Sequence, residues 1–187
     1  MAPSCSIDKP GVADWLVGIT ETEEDVNAIL ALIEPTLYDT GQTAHKKLMK
    51  LHDDCRNLHL WPSVFGGLGV ISNRKTPDHR DFGGCYQWYD ILVAAGNYQD
   101  AFLDVKDLGT RFQYTPGTAI AICGKLLRHG VPDWVGGERL CYAHYFQGNV
   151  MDRLREERPH WVKYQQYYRQ MSSGFEKRSK NCLFPTL

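Results

Sequence analysis

Two histidines and an aspartate carry the first chemical signal in this chain. His79-Arg80-Asp81 sets an imidazole and a carboxylate at positions i and i+2. In an extended segment those two side chains point to the same side. They make up two-thirds of a two-histidine, one-carboxylate triad for non-haem Fe(II). Taken alone, that tripeptide occurs by chance in many proteins. His129 closes the apolar run Lys125-Leu126-Leu127-Arg128-His129-Gly130-Val131, fifty residues further on. Considered singly, a histidine at a strand end is an ordinary polar residue. Arg139 follows ten residues later, beyond the hairpin-like stretch Pro132-Asp133-Trp134-Val135-Gly136-Gly137. A guanidinium there can hold a carboxylate through a bidentate salt bridge. An iron with three protein ligands keeps three open positions. A 2-oxo acid can chelate two of them and dioxygen can take the third. The far carboxylate of that acid then needs a buried cation, and Arg139 supplies one.

Ligands so far apart in sequence must be brought together by strands. The first third of the chain reads as helical instead. Thr22 can cap a helix whose first turn carries Glu23, Glu24 and Asp25, and Val26, Ile29, Leu30 and Ile33 follow at helical spacing. Pro35 ends or kinks it. A second helix is expected over residues 41–56, with Ala44, Leu48, Leu51 and Cys55 on one face. His45, His52 and His59 recur every seven residues, but without a converging carboxylate or thiolate they are read as surface and packing residues. The middle then changes character. Strands are expected near 64–73, 86–95, 101–105, 110–115, 118–123, 126–131 and 139–146, broken by Gly, Pro and Asn about every ten residues. That rhythm suits a jelly roll or sandwich rather than parallel βαβ units. After residue 150 the pattern is helical again, with Val150, Leu154, Trp161 and Tyr164 as apolar anchors. Trp88 is expected in the core, and the tail from Ser172 reads as irregular.

Composition bounds the rest. The 187 residues suit one domain of α+β class: a double-stranded β-helix (jelly roll) core at 61–150, helical support at 1–60, and a C-terminal helix and tail at 151–187. A net charge of −1 excludes a generally basic nucleic-acid binder. The charge is uneven, however. Residues 1–45 hold eight acids against one base, and residues 151–187 hold eight bases against four acids. The six cysteines, Cys5, Cys55, Cys85, Cys123, Cys141 and Cys182, form no CxxC pair and read as reduced thiols. No secretory h-region or membrane-length apolar run is present, so the expected setting is nucleus or cytoplasm, with no membrane partner.

The combination of HxD, a later histidine and an arginine ten residues beyond it resembles the 2-oxoglutarate/Fe(II)-dependent dioxygenases. The stretch Asn73-Arg74-Lys75-Thr76-Pro77-Asp78-His79-Arg80-Asp81 narrows the resemblance, together with Trp88 to Gly96, Tyr114-Thr115-Pro116-Gly117-Thr118, Gly124 and His129-Gly130-Val131. These are similar to the TET/JBP branch, and more closely to its fungal, mobile-element-associated members, from about Leu60 to about Trp161. The resemblance implies oxidation of a nucleobase methyl, that of 5-methylcytosine or N6-methyladenine in DNA, by Fe(II), 2-oxoglutarate and dioxygen. It implies His79, Asp81 and His129 as iron ligands and Arg139 as the holder of the cosubstrate's distal carboxylate. Arg74 matches a position that helps hold the cosubstrate in some relatives. Asn73 lies beside it, and Cys141 would wall the same pocket. Tyr145 falls where a relative stacks an aromatic ring on the target base, and Gln147 where that relative reads a base edge with histidine. His144 is a further candidate for lining that pocket. The acid that the relative carries three residues after the ligand aspartate is Gly84 here, which leaves an adenine or altered specificity open.

A methyl group inside an intact duplex cannot reach a metal buried in a jelly roll, so the base is expected to flip out of the stack. Phosphates would be held by Lys75, Arg80, Arg153, Arg155 and Arg158, with the chain acting as a monomer. The residues leave two alternatives: the same oxygenase chemistry on RNA or a small molecule, and a non-catalytic nucleic-acid reader.

Overall fold

A computed structural model describes residues 7–52, 55–169 and 172. Three helices open it: α1 (Val12–Gly18), α2 (Thr20–Ile33) and α3 (Pro35–Leu51). α2 begins at Thr20, two residues before the expected cap, and no side chain caps it. Pro35 ends α2 and opens α3, where a missing N–H costs nothing. α3 stops at Leu51 and leaves Cys55 outside it.

Eight strands follow: β1 (Gly67–Ser72), β2 (Thr76–His79), β3 (Asp90–Gly96), β4 (Phe102–Val105), β5 (Thr110–Gln113), β6 (Ala119–Ile122), β7 (His129–Val131) and β8 (Arg139–Tyr145). A helix, α4 (Gly148–Leu154), follows β8, and residues 164–169 are helical as well. One antiparallel sheet runs β1-β8-β3-β6 and the other β2-β7-β4-β5. The pairs β1–β8, β2–β7, β3–β6 and β4–β5 nest inside one another, as if one long hairpin had been rolled up. That is a jelly roll. The sequence pattern gave no separate strand over Thr76–His79, because four residues containing a proline carry almost no periodic signal.

The larger sheet separates two cores. Its outer face carries Ile91 and Phe146, which pack with Phe65 and Trp88 against Val26 and Leu30 of α2 and Leu37 and Ala44 of α3. Its inner face carries Leu92, Ala94 and Cys141, which meet Leu103, Val105, Tyr114 and Val131 from the other side of the roll. This is period-two alternation: Ile91 and Val93 face the helices, while Leu92 and Ala94 face the interior. Each fully buried aliphatic or aromatic side chain contributes roughly 1.5–3 kcal/mol. Asn27 of α2 ties the helical layer to the strand layer. Its amide donates to Pro62 O at 2.8 Å and its Oδ1 accepts from the Val64 N–H at 2.9 Å, which fixes the chain entering β1.

Trp88 is buried, as expected, whereas Trp161 and Tyr164 are exposed rather than core anchors, Tyr164 stacking on Tyr168. α4 ends at Leu154 with Arg155 in the left-handed region (φ 54°), and the chain is helical again over residues 164–169, where Tyr164 faces solvent. Cys85, Cys123 and Cys141 are free thiols, the Cys55 Sγ lies 3.6 Å from Asp8 Oδ2, and Cys5 and Cys182 lie outside the described residues, as does the tail beyond Ser172. Among the described residues, no helix is long and apolar enough to cross a membrane.

Candidate metal centre

β2 and β7 deliver the triad. Between Thr76 and His79 the pairing to β7 shifts register, so Pro77 and Asp78 of β2 oppose Gly130 alone and His79 sits directly across from His129. The two imidazole centroids are 4.5 Å apart. Asp81 lies just past the strand, where its N–H donates to Gly124 O at 2.9 Å. His79 Nε2 is 3.4 Å from one Asp81 carboxylate oxygen and His129 Nε2 is 3.7 Å from the other. The three ligand atoms lie within 4.8 Å of one another, a spacing a single metal ion can bridge. No other such group occurs among the described residues, and the heptad-spaced histidines form none.

The tautomers suit that use. His79 Nδ1 is 2.9 Å from Pro77 O, and His129 Nδ1 is 2.9 Å from Leu127 O. A carbonyl only accepts, so each Nδ1 carries the hydrogen and each Nε2 offers its lone pair to the cluster. The site opens on one side: the His79 and Asp81 side chains are 39% and 41% exposed, but His129 only 4%.

A second carboxylate stands behind the first. Asp90 opens β3 pointing inward, in the same alternation as Leu92 and Ala94. It accepts the Gly124 N–H at 3.2 Å. A Cβ at residue 124 would collide with both the Asp81 and Asp90 carboxylates, so glycine is what lets the two acids converge. Burial, and then the neighbouring Asp81 charge, push the Asp90 carboxyl up to about 7. Two acids crowded in this way await a cation. Sequence reasoning gave Asp90 no role, although an acid at the head of the apolar run Asp90-Ile91-Leu92-Val93 was a visible signal.

Arg139 starts β8 and is 1% exposed. Its guanidinium carbon lies 5.8 Å from the Tyr114 and Trp134 ring centroids, and Nη1 donates to Arg74 O at 3.0 Å. Its Nε has no partner, and no acid among the described residues pairs with it. A buried, uncompensated guanidinium is costly unless an anion joins it. The residues present therefore fit two groups: a divalent ion among His79, Asp81 and His129, and a carboxylate on Arg139. Tyr114 and Trp134, which wall the guanidinium, were not foreseen as part of this pocket.

The remaining expected residues divide. Cys141 is buried on the Arg139 side of β8, with its Sγ 3.3 Å from the Tyr114 hydroxyl. Tyr145 shares that face, and its ring covers Gly67 of the paired strand so closely that a Cβ there would overlap it. Gln147 precedes α4 and, with Tyr145, borders an apolar cavity of about 600 Å³ lined by Trp15, Leu48, Trp61 and Phe65. That cavity holds none of the metal-centre residues.

His144 overturns its assignment as a pocket residue. One position before Tyr145, it faces the opposite way. It is buried under α2, with Nε2 2.7 Å from Glu23 Oε1 and Nδ1 2.9 Å from Ile91 O. Asn73 is likewise committed to structure. Held at φ 47°, it accepts the Arg139 N–H on Oδ1 at 2.8 Å and donates its own N–H to Arg139 O at 2.8 Å, so it positions the arginine without reaching into the pocket. Arg74 contributes its carbonyl to Arg139 while its side chain is exposed.

The phosphate candidates are partly engaged. Lys75 pairs with Asp133 at 2.8 Å. Arg80 pairs with Asp107 at 2.8 Å and donates to Leu126 O, which turns it away from the metal centre. Arg158 pairs with Asp152. Arg153 and Arg155 are exposed.

Comparison with known proteins extends this geometry. Residues 13–148 match the model of the Tet_JBP family, described as the oxygenase domain of the 2OGFeDO superfamily. Among solved structures, the chain is similar to "NgTET1 in complex with 5mC DNA", with a TM-score of 0.59 and 14% identity over 93% of this chain. It spans only 62% of that chain, and the likeness is one of fold. A Cupin 2 conserved barrel domain protein from Salinispora arenicola CNS-205 aligns over 47% of this chain and 66% of its own, at 20% identity and a TM-score of 0.32, too low to argue from. No curated protein matches.

Proposed function

Since the chain belongs to the Tet_JBP family of 2-oxoglutarate/Fe(II)-dependent oxygenases, we propose that it oxidises the methyl group of a methylated base in DNA. The base is 5-methylcytosine or N6-methyladenine, flipped out of a duplex. His79, Asp81 and His129 hold the iron and Arg139 the far carboxylate of the cosubstrate. When bound, iron and 2-oxoglutarate supply the oxidant: dioxygen is consumed, the cosubstrate leaves as succinate and carbon dioxide, and one oxygen atom passes to the methyl group. A hydroxylated N-methyl group collapses to formaldehyde and the free amine, whereas a hydroxylated C-methyl group persists.

The protein's part is positional. The Nδ1–H bonds of His79 and His129 to backbone carbonyls hold both rings with Nε2 inward. Asp81 is fixed through its own N–H, and the Asn73 clamp sets the strand that carries Arg139. Tyr145 offers a ring for stacking, and Gln147 an amide able to meet a base edge as donor and acceptor. Among the described residues, the observation that carries this reading is a buried Arg139 with no acid partner in a roll that also gathers a two-histidine, one-carboxylate cluster. The DNA substrate draws support from the family, and from the neighbour of like fold being a complex with 5mC DNA. Action as a monomer in the nucleus or cytoplasm, and affinity to the fungal members, complete the reading.

Nucleoside mass spectrometry after incubation with Fe(II), 2-oxoglutarate and duplexes carrying either methylated base tests it. Hydroxymethylcytosine, or unmodified adenine with formaldehyde, is the expected product. Succinate accompanied by product on RNA alone would move the substrate class.

A further inference from the structure

Beside the metal centre the surface holds a feature that neither catalysis nor the fold requires. Phe82 follows the cluster's Asp81, so their Cα atoms are about 3.8 Å apart. At 88% exposure it is the most exposed large apolar side chain among the described residues. Its backbone is nevertheless pinned. Lys125 Nζ donates to Phe82 O at 2.7 Å, and the Gly148 N–H donates to Gly83 O at 3.2 Å. Lys125 also lies 5.6 Å from the Phe82 ring centroid and 5.8 Å from that of Tyr86, itself 58% exposed. No acid among the described residues pairs with Lys125. The intervening Gly83 and Gly84 have ordinary φ values. A Cβ at Gly83 would touch nothing, and one at Gly84 would make only ordinary contact with Lys125. Glycine here answers no need of the folded chain and leaves room for a partner to approach the backbone. The loop follows directly on Asp81, which with His79 makes up the half-exposed part of the cluster.

From this arrangement we infer that Phe82 is a wedge that stacks on the base flanking the target and fills the gap left when the target leaves the helix, while the Lys125 ammonium meets the adjacent phosphate. The inference rests on the DNA reading above and names the part of the chain that opens the stack. Nucleic acid is the favoured occupant because a cation with no acid partner among the described residues sits among exposed rings, the combination that binds bases by their faces and the backbone by its charge.

Phe82→Ala should fold normally, since the ring is 88% exposed. Four rates test the inference, each measured on wild type, Phe82→Ala and Phe82→Trp. They are succinate formation without nucleic acid, and base oxidation on a methylated duplex, on the same duplex with the target mispaired, and on the same strand alone. Succinate formation should be equal in all three proteins. On the paired duplex, Phe82→Ala should lose about tenfold or more in kcat/KM, as expected for loss of a stacked ring. The deficit should shrink on the mispaired duplex and nearly vanish on the single strand, and Phe82→Trp should restore the duplex rate. An equal loss on all three substrates, or no loss on the paired duplex, overturns the wedge while leaving base oxidation intact. Wild type that forms succinate yet oxidises no DNA base overturns the substrate reading itself, and the wedge with it.

Discussion

Arg139 and Asp90 are each costly to keep unless a second charge arrives, and each gives a separate prediction. Deleting one partner of a buried charge pair costs roughly 2–5 kcal/mol, which is at least about 30-fold in affinity. Arg139→Ala should therefore raise the KM for 2-oxoglutarate by that factor or more, read from succinate formation against cosubstrate concentration. Arg139→Lys should recover only part of it, because an ammonium cannot grip a carboxylate with two parallel bonds. An unchanged KM would remove Arg139 from the pocket. For Asp90, the folded protein lifts the carboxyl from 3.8 to about 7. A raised acid binds its proton more tightly in the folded chain. Its stabilisation is therefore complete below about 3.8 and lost as pH climbs through about 7. Metal-free wild type should lose melting temperature relative to Asp90→Asn across that window. Parallel melting curves from pH 4 to pH 7.5 would contradict the assignment.

Strand alternation decides which side chains of β8 do what. Arg139, Cys141 and Tyr145 share the inner side, while His144 faces the helices and meets Glu23 of α2 beneath the sheet. Glu23 and His144 are essentially inaccessible to solvent, so removing one leaves the other unpaired, which costs roughly 3–5 kcal/mol. Glu23→Ala should lower unfolding free energy by about that much in denaturant titration while leaving the KM for 2-oxoglutarate near wild type. A large shift in that KM with little loss of stability would place the pair at the active centre. The same alternation marks what the sequence made legible. His79, Asp81, His129 and Arg139 were readable because ligand types at fixed spacings need no knowledge of register. Tyr145 and His144 were not separable, because a one-residue uncertainty at a strand end exchanges inside for outside. β2 escaped notice because it is short, contains Pro77 and carries a register shift. Asp90 was visible as an acid heading an apolar run, but its closeness to Asp81 depends on Gly124, whose N–H it accepts from 34 residues away.

Charge is distributed so that binding to a polyanion must be local. The net charge is −1, yet residues 151–187 hold twice as many bases as acids, and Arg153 and Arg155 stand exposed on and just beyond α4. If they hold phosphates, neutralising both should reduce the slope of log affinity against log salt by about one per arginine and weaken methylated and unmethylated duplexes alike. Fluorescence anisotropy at several salt concentrations reads this. A change in base preference at constant slope would argue for base contact instead. Beyond these local charges, the jelly roll's service to the site is to bring β2 and β7 side by side, so that groups fifty residues apart share one ion. Anaerobic titration of metal-free protein with Fe(II) in the presence of 2-oxoglutarate probes that convergence. Wild type should bind one equivalent and develop a visible charge-transfer band, whereas His79→Ala, Asp81→Ala and His129→Ala should each lose both. Full stoichiometry and an unaltered band in any of the three would show that the iron sits elsewhere.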